Sequence, residues 1–152
     1  MSRKPVTPRR WPRKTLDVYG AVHLLCNNAG VGTGSTAWES TINDWKWVIG
    51  VNLWGVLHGI RTFLPLMLEQ DAEGYVINTA SVAGLISYSP DAPYHLTKHA
   101  VVALSEKLYH DLGCVARELA SRCFARVWST PGLWTVSETA CRSCKIIAPT
   151  LR

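Results

Sequence analysis

The amino-acid sequence predicts an α/β fold built on a parallel sheet of about three strands with two long helices. Short, mostly apolar runs near 21–27, 74–80 and 123–129 have the length and composition of strands buried in a parallel sheet. Near 44–69, and again near 94–112, apolar residues recur at the spacing of an amphipathic helix. A chain of 152 residues with 47% hydrophobic content has the size and composition of one globular domain.

The positive charge of the chain is concentrated at its start. Six of the sixteen Lys and Arg residues fall within the first fourteen positions, which contain no acidic residue. The remainder carries ten basic and eleven acidic side chains, so it is close to neutral although the whole chain has a net charge of +5. A nucleic-acid interface needs a basic patch or stripe, so we expect none on the body of the chain.

The basic head, residues 1–18, also contains Pro5, Pro8 and Pro12, which disfavour regular structure. We expect the head to be disordered; an anion-binding or nucleic-acid-binding arm and a transit peptide are the alternatives. No apolar run reaches the ~18 residues that a membrane helix needs, so we expect a soluble, cytoplasmic protein without a membrane partner. The five cysteines lack a secretory context and are expected to be reduced, and Cys141 and Cys144 alone make no metal site.

Asn52 interrupts the apolar stripe of the 45–68 helix with an amide. A buried amide must find hydrogen-bond partners or it costs roughly 1 to 3 kcal/mol. Its presence indicates either a functional contact or a local cap or bend of its own helix, and the residues alone leave both open. In the loop after the 21–27 strand, Gly32 and Gly34 would let the backbone approach a ligand closely.

Tyr94 and Lys98 lie one turn apart at the start of the second long helix, so their side chains would share a face. A nearby positive charge favours the ionised form of a phenol, so such a pair can act as an acid/base; two half-exposed positions on an amphipathic helix are the alternative. Ser81 follows the 74–80 strand, and its hydroxyl could hold a substrate oxygen beside the phenol. We expect His95 and His99 to face solvent, because no third metal ligand is in view.

Four short elements follow one another along the chain: NNAG at 27–30, Asn52, NTASVAG at 78–84 and YHLTK at 94–98. In order and approximate spacing they resemble the N-N-A-G, Asn, N-x-[ST]-S-x-x-G and Y-x-x-x-K elements of the short-chain dehydrogenase/reductase family. The set is far more specific than any one of its members. The resemblance covers residues 19–113 and continues more weakly to Pro131 and Gly132.

This resemblance implies a partial doubly wound, Rossmann-like domain over 19–132, with an irregular tail over 133–152. It implies hydride transfer between a nicotinamide cofactor and a small-molecule alcohol or carbonyl substrate. Whether that cofactor is NAD or NADP stays undecided. Tyr94 would be the general acid/base, and Lys98 would assist it and bind the nicotinamide ribose. Ser81 would orient the substrate oxygen, and Asn52 would support a proton relay. The residues implied at the cofactor are Asn28, Ala29, Gly30, Tyr94, Lys98, Pro131 and Gly132.

The sequence departs from the family's pattern because it lacks the glycine-rich cofactor loop that would precede the NNAG strand. We therefore expect a truncated domain whose head and tail match nothing in the family. A non-catalytic binding or dimerising module of the same fold half is the alternative to an enzyme. The resemblance also makes helices 45–68 and 94–112 the candidate contact surface of a homo-oligomer.

Overall fold

The computed structural model describes residues 10–70, 72–115, 119–124, 126–129 and 133–136, and the side chains of 12–70 and 72–113. The helices are α1 (Arg10–Tyr19), α2 (Ile42–Ile49), α3 (Gly55–Glu69) and α4 (Ala92–Val115). The strands are β1 (Leu24–Asn27), β2 (Gly74–Thr79), β3 (Leu119–Phe124), β4 (Arg126–Ser129) and β5 (Leu133–Val136). A π-helical turn (Gly50–Trp54) joins α2 to α3, and a 3-10 turn (Val82–Gly84) follows β2.

β1, β2 and β3 form a parallel sheet with β2 in the middle. Leu25 pairs with Val76 and Asn27 pairs with Asn78, so β1 and β2 end at the same edge of the sheet. The predicted parallel α/β arrangement is therefore confirmed. The residues that follow these two strands, including the NNAG and NTASVAG elements, lie next to each other at that edge.

The predicted position of the third strand, near 123–129, is wrong. β3 covers Leu119–Phe124 and pairs with β2, whereas β4 pairs antiparallel with β5. Two consecutive runs have strand-like composition, and only the pairing with β2 decides which of them joins the parallel sheet. β5 also gives regular structure to the first residues of the tail that was expected to be irregular. Residues 137–152, with Cys141 and Cys144, lie outside the described residues.

α1 corrects the prediction that the head is disordered throughout residues 1–18. Pro12 lies in the first turn, where helical N–H groups have no acceptor within the helix, so a proline is tolerated. Leu16 packs against the core. Gly20 ends the helix in the left-handed conformation, with φ +74°, and its N–H donates to the carbonyl of Leu16 at 2.8 Å. Residues 1–9, with Pro5 and Pro8, lie outside the described residues.

The predicted helix near 44–69 is a continuous helical segment made of α2, the π-helical turn and α3. Thr41 caps its start, because the Thr41 hydroxyl accepts from the N–H of Asp44 while the Asp44 carboxylate accepts from the N–H of Thr41. Hydrogen bonds from the hydroxyl and then the N–H of Thr41 lower the pKa of the Asp44 carboxyl below its ordinary value. Asn52 lies inside the π-helical turn, a rare structure that is frequent at functional sites.

Two apolar clusters hold α3 and α4 against the sheet. Their buried members are Val22, Leu25, Met67, Val76, Leu108 and Leu112 in the first, and Val56, Ala80, Val101 and Val102 in the second. Leu24 of β1 points away from both clusters and is 55% exposed, so β1 is buried on one face, whereas the sequence predicted a fully buried strand. Within the described part of the chain, every helix is too short or too polar to cross a bilayer.

Candidate functional site

A cavity of about 170 Å³ lies where β1 and β2 end and α4 begins. Ligands of parallel α/β sheets bind outside the carboxyl ends of the strands, which is where this cavity opens. Five of the residues predicted at the site line it, together with three others. The lining consists of Asn28, Gly30, Thr79, Ala80, Ser81, Tyr88, Tyr94 and Lys98.

Tyr94 and Lys98 share one side of α4, as the four-residue spacing predicts. The Lys98 ammonium lies 5.4 Å from the centroid of the Tyr94 ring. Lys98 is only 4% exposed, so its charge needs partners within the protein, and Nζ donates to the carbonyl of Thr79 at 2.7 Å. This contact attaches the first turns of α4 to the end of β2 and fixes the ammonium beside the phenol.

Ser81 follows β2 in an extended conformation and caps the 3-10 turn, where its hydroxyl oxygen accepts from the N–H of Ala83 at 3.2 Å. A serine hydroxyl has one hydrogen to donate besides its acceptor sites. The Ser81 side chain lines the same cavity as Tyr94. Its position is held by a backbone contact, while its O–H has no acceptor among the described residues and can be offered to a ligand.

Asn52 is almost fully buried and its amide is bonded to protein groups. Oδ1 accepts from the N–H of Val31 at 2.8 Å, and Nδ2 donates to the carbonyl of Val31 at 2.9 Å and to Oγ1 of Thr97 at 3.0 Å. Thr97 donates in turn to the carbonyl of Tyr94 at 2.8 Å. Asn52 does not line the cavity; its side chain ties the loop after β1 to the first turn of α4.

The other predicted cofactor residues differ in their placement. Asn28 accepts at Oδ1 from the hydroxyl of Thr79 at 2.9 Å. A β-carbon on Gly30 would lie 3.5 Å from Nζ of Lys98 and 3.6 Å from Oδ1 of Asn52, so the backbone passes close to both side chains. Ala29 is exposed and lies outside the cavity lining. Pro131 and Gly132 lie outside the described residues.

Asp91 organises the loop before α4, and the sequence analysis did not single it out. Its carboxylate accepts from the N–H and hydroxyl of Thr33 at 3.1 and 3.2 Å and from the N–H of Tyr94 at 3.3 Å. Its backbone has φ 141°, which is rare for a residue with a side chain. An Asp immediately before a helix is a recognised N-cap, and that signal could have identified it.

Gly32 lies against this carboxylate, so a contact within the protein already accounts for the missing side chain, and the approach of a ligand to this backbone stays a prediction. A β-carbon on Gly32 would collide with Oδ2 of Asp91. A β-carbon on Gly34 would meet no atom of the described residues, and the φ of +71° is the reason for a glycine at that position. The spacing of these glycines therefore reflects the path of the loop.

His95 is buried, contrary to the expectation that it faces solvent, whereas His99 is exposed. The ring of His95 makes edge-to-face contacts with the rings of Tyr88 and Tyr94, with centroids 5.9 and 6.4 Å apart. The ring nitrogen Nδ1 lies 2.9 Å from the carbonyl of Asp91. Helical spacing alone could not reveal this burial, because the loop residue Tyr88 covers the ring.

A family model described as short chain dehydrogenase matches residues 9–115 of this sequence. The chain belongs to the short-chain dehydrogenase family. The match includes α1, so residues from 9 onwards are part of the family's domain and the expectation that the whole head matches nothing is wrong.

Known proteins resemble this chain over part of their length. An uncharacterized oxidoreductase of Staphylococcus saprophyticus is 38% identical over 101 residues, which are 66% of this chain and 41% of the relative. A CLA biosynthesis dehydrogenase/reductase of Lactiplantibacillus plantarum is 31% identical over 99 residues, 65% of this chain and 35% of the relative. The chain thus spans less than half the length of either relative.

The crystal structure of a short-chain dehydrogenase/reductase from Burkholderia phymatum in complex with NAD superposes with a TM-score of 0.77. The two proteins are 47% identical, and the match covers 80% of this chain and 43% of the other. The Rossmann-like fold predicted for this short-chain dehydrogenase is therefore confirmed for the part of the domain that the chain contains.

Proposed function

We propose that this chain carries the acid/base half of an NAD- or NADP-dependent oxidoreductase that interconverts an alcohol and a carbonyl compound. The observation that carries the proposal is the shared cavity of Tyr94, Lys98 and Ser81, a phenol, an ammonium and a hydroxyl from two elements. In a family of dehydrogenases, this combination suits proton transfer to or from a substrate oxygen.

The size and lining of the cavity fit the reactive end of a nicotinamide cofactor. Pockets for whole ligands usually measure about 300 to 1,000 Å³, so a cavity of about 170 Å³ would enclose only one end of a dinucleotide. Asn28, Gly30 and Lys98 would hold that end, because they offer an amide, a backbone without a side chain and a buried cation. The solved relative from Burkholderia phymatum binds NAD, which supports the same class of cofactor here.

In the proposed reaction, Ser81 donates a hydrogen bond to the substrate oxygen and holds it beside the phenol of Tyr94. For carbonyl reduction, Tyr94 gives its proton to that oxygen, and for alcohol oxidation it takes the proton back. Lys98 holds its ammonium 5.4 Å from the centroid of the Tyr94 ring, beside the group that transfers the proton. When bound, NAD or NADP would supply or accept the hydride. Asn52 holds the loop after β1 against the turn of α4 that carries Tyr94.

A homo-oligomer formed through helices 45–68 and 94–112 is part of the proposal. Trp54 and Tyr109 on these helices are 50 and 39% exposed, which supports a contact surface there. A small-molecule substrate and a cytoplasmic location complete the expected setting.

Titration of NADH and NADPH into the purified chain, followed by tryptophan fluorescence, tests the cofactor step. We expect saturable binding, and binding weakened in Lys98→Met because the variant loses a cation at the site. Absence of saturation up to millimolar cofactor would contradict the proposal and favour a non-catalytic binding or dimerising module.

Turnover of 1-phenylethanol with NAD or NADP tests the acid/base step. Tyr94→Phe removes the hydroxyl but keeps the ring, so we expect the rate to fall by about 100-fold or more. Tyr19→Phe is the matched control, because Tyr19 is an exposed tyrosine at the end of α1 and outside the cavity lining. Equal rates for the wild type and Tyr94→Phe would exclude the assigned role.

A further inference from the structure

A second, larger groove of about 690 Å³ lies beside the cavity and shares Tyr88 with it. Its volume is within the range of about 300 to 1,000 Å³ that is usual for small-molecule sites. Trp45, Tyr88, His95 and His99 contribute aromatic surfaces to it. Among the described residues that line this groove there is no lysine or arginine, and the Asp91 carboxylate already accepts three hydrogen bonds. The groove therefore suits a neutral ligand with an aromatic ring.

His95 lines this groove and has a ring nitrogen without a hydrogen-bond partner among the described residues. The carbonyl of Asp91 can only accept, so Nδ1 of His95, 2.9 Å away, must carry the ring hydrogen. In a neutral imidazole with that tautomer, Nε2 is an acceptor. His95 is 6% exposed, and its Nε2 is buried with no hydrogen-bond partner among the described residues.

Tyr88 is the aromatic neighbour that the loop before α4 places on this imidazole. Its ring packs edge-to-face on His95, yet Tyr88 itself is 66% exposed and lies in the exposed run 85–90. Because Tyr88 and the rest of this run are exposed, rotation of the Tyr88 side chain would move its ring off the imidazole without disturbing the core. A buried acceptor without a donor disfavours the covered arrangement, so a ligand that brings a donor stabilises the open one.

We propose that the groove binds the part of the substrate remote from the reacting carbon, and that Nε2 of His95 accepts a hydrogen bond from a hydroxyl group there. The substrate class is then a neutral aromatic alcohol, or the matching carbonyl compound, that carries a second hydroxyl. The assignment of this ligand as substrate rests on the proposed function of the adjoining cavity. That the ligand binds at all is inferred from the groove alone and does not depend on the proposed function.

Binding of 4-hydroxybenzyl alcohol and 4-methoxybenzyl alcohol to the full chain tests the inference. The two probes share the ring and the reacting alcohol and differ in the second hydroxyl. We expect the hydroxyl probe to bind wild type about 2- to 10-fold more tightly, the usual worth of a neutral hydrogen bond. We expect the ratio to fall to about one in His95→Phe, to recover in part in His95→Gln, which keeps an acceptor, and to be unchanged in His110→Phe, an exposed histidine of the same helix.

Nitrogen-15 NMR of the histidine rings gives a readout that needs neither turnover nor a variant. Saturation with the hydroxyl probe is expected to move the Nε2 resonance of His95 upfield, and the methoxy probe is expected to leave it in place. Three results would each overturn the inference: an Nε2 resonance that neither probe shifts, equal affinities of the wild type for the two probes, or a preference for the hydroxyl probe that persists in His95→Phe.

The two proposals fail in different ways. If NADH and NADPH do not bind but the hydroxyl probe still shifts Nε2, the groove is a binding site and the oxidoreductase proposal falls. If the chain turns over alcohols without preference for the second hydroxyl, the oxidoreductase proposal stands and the role of His95 falls. Should His95→Phe fail to fold, the wild-type resonance decides alone.

Discussion

Replacing Gly84 with alanine tests how closely the end of β2 packs against α4. A β-carbon on Gly84 would lie 2.7 Å from the carbonyl oxygen of Lys98, 2.9 Å from its carbonyl carbon and 3.0 Å from Cγ2 of Val102. Two of these atoms belong to the backbone of α4, so relief requires a shift of the helix and not of a flexible side chain. Overpacking of this kind costs about 1 to 3 kcal/mol.

The cost of Gly84→Ala is measured by urea unfolding, with thermal melting as a second observable. At about 2 to 4 °C per kcal/mol for a domain of this size, we expect the melting temperature to fall by roughly 2 to 12 °C. We also expect weaker NADH or NADPH binding, because the displaced turn carries Lys98.

Gly50→Ala is the matched control for this substitution. Gly50 has helical backbone angles, φ −58° and ψ −42°, and a β-carbon added there would have no neighbouring atom of the described residues within 4 Å beyond its own helix backbone. Alanine at this position is therefore expected to stabilise the chain by about 0.5 to 1 kcal/mol. We therefore expect Gly84→Ala to lower the free energy of unfolding and Gly50→Ala to raise it. A Gly84→Ala variant as stable as the wild type would refute the close approach of α4 to the 3-10 turn.

Three further substitutions have defined outcomes. Asn52→Leu removes the side-chain partner of the part-buried Val31 N–H and carbonyl and leaves the Thr97 hydroxyl with only the bond that it donates to Tyr94, so urea unfolding should show a loss of about 1 to 3 kcal/mol; a loss below the error of the measurement would contradict the network. Gly32→Ala forces the Asp91 carboxylate from its place, and the tyrosine ring signals of α4 in NMR spectra should shift, whereas unchanged spectra would disprove the contact. Thr41→Ala removes the cap, so we expect about 1 kcal/mol less stability and an Asp44 pKa raised towards its ordinary value in an NMR titration; an unchanged Asp44 pKa would count against the cap.

The sequence predicted the elements whose burial is periodic. The strand near 74–80 and the helices near 44–69 and 94–112 correspond to β2, to the segment from α2 through α3, and to α4. Burial on one face dictates where apolar residues recur, so these positions are encoded locally. α1 was missed because three prolines and six basic residues dominate the head, although Gly20 at its end is a helix-stop signal.

Motif spacing also predicted most of the residues that meet at the candidate site. Ser81, Tyr94 and Lys98 lie at one cavity because parallel strands expose their carboxyl ends on the same side as the start of the following helix. The partners of Asn52 and the role of Asp91 could not be predicted, since each joins segments far apart in the sequence.

The sequence by itself determined the family, the elements with periodic burial and the residue types at the cavity, because local spacing encodes each of these. Only the tertiary structure decided which strand-like run pairs with β2, why Gly32 and Gly84 have no side chain, and that His95 is buried with an unused acceptor among the described residues. Those features depend on distances between segments that are remote in the chain, and such distances exist only once the helices and strands have packed.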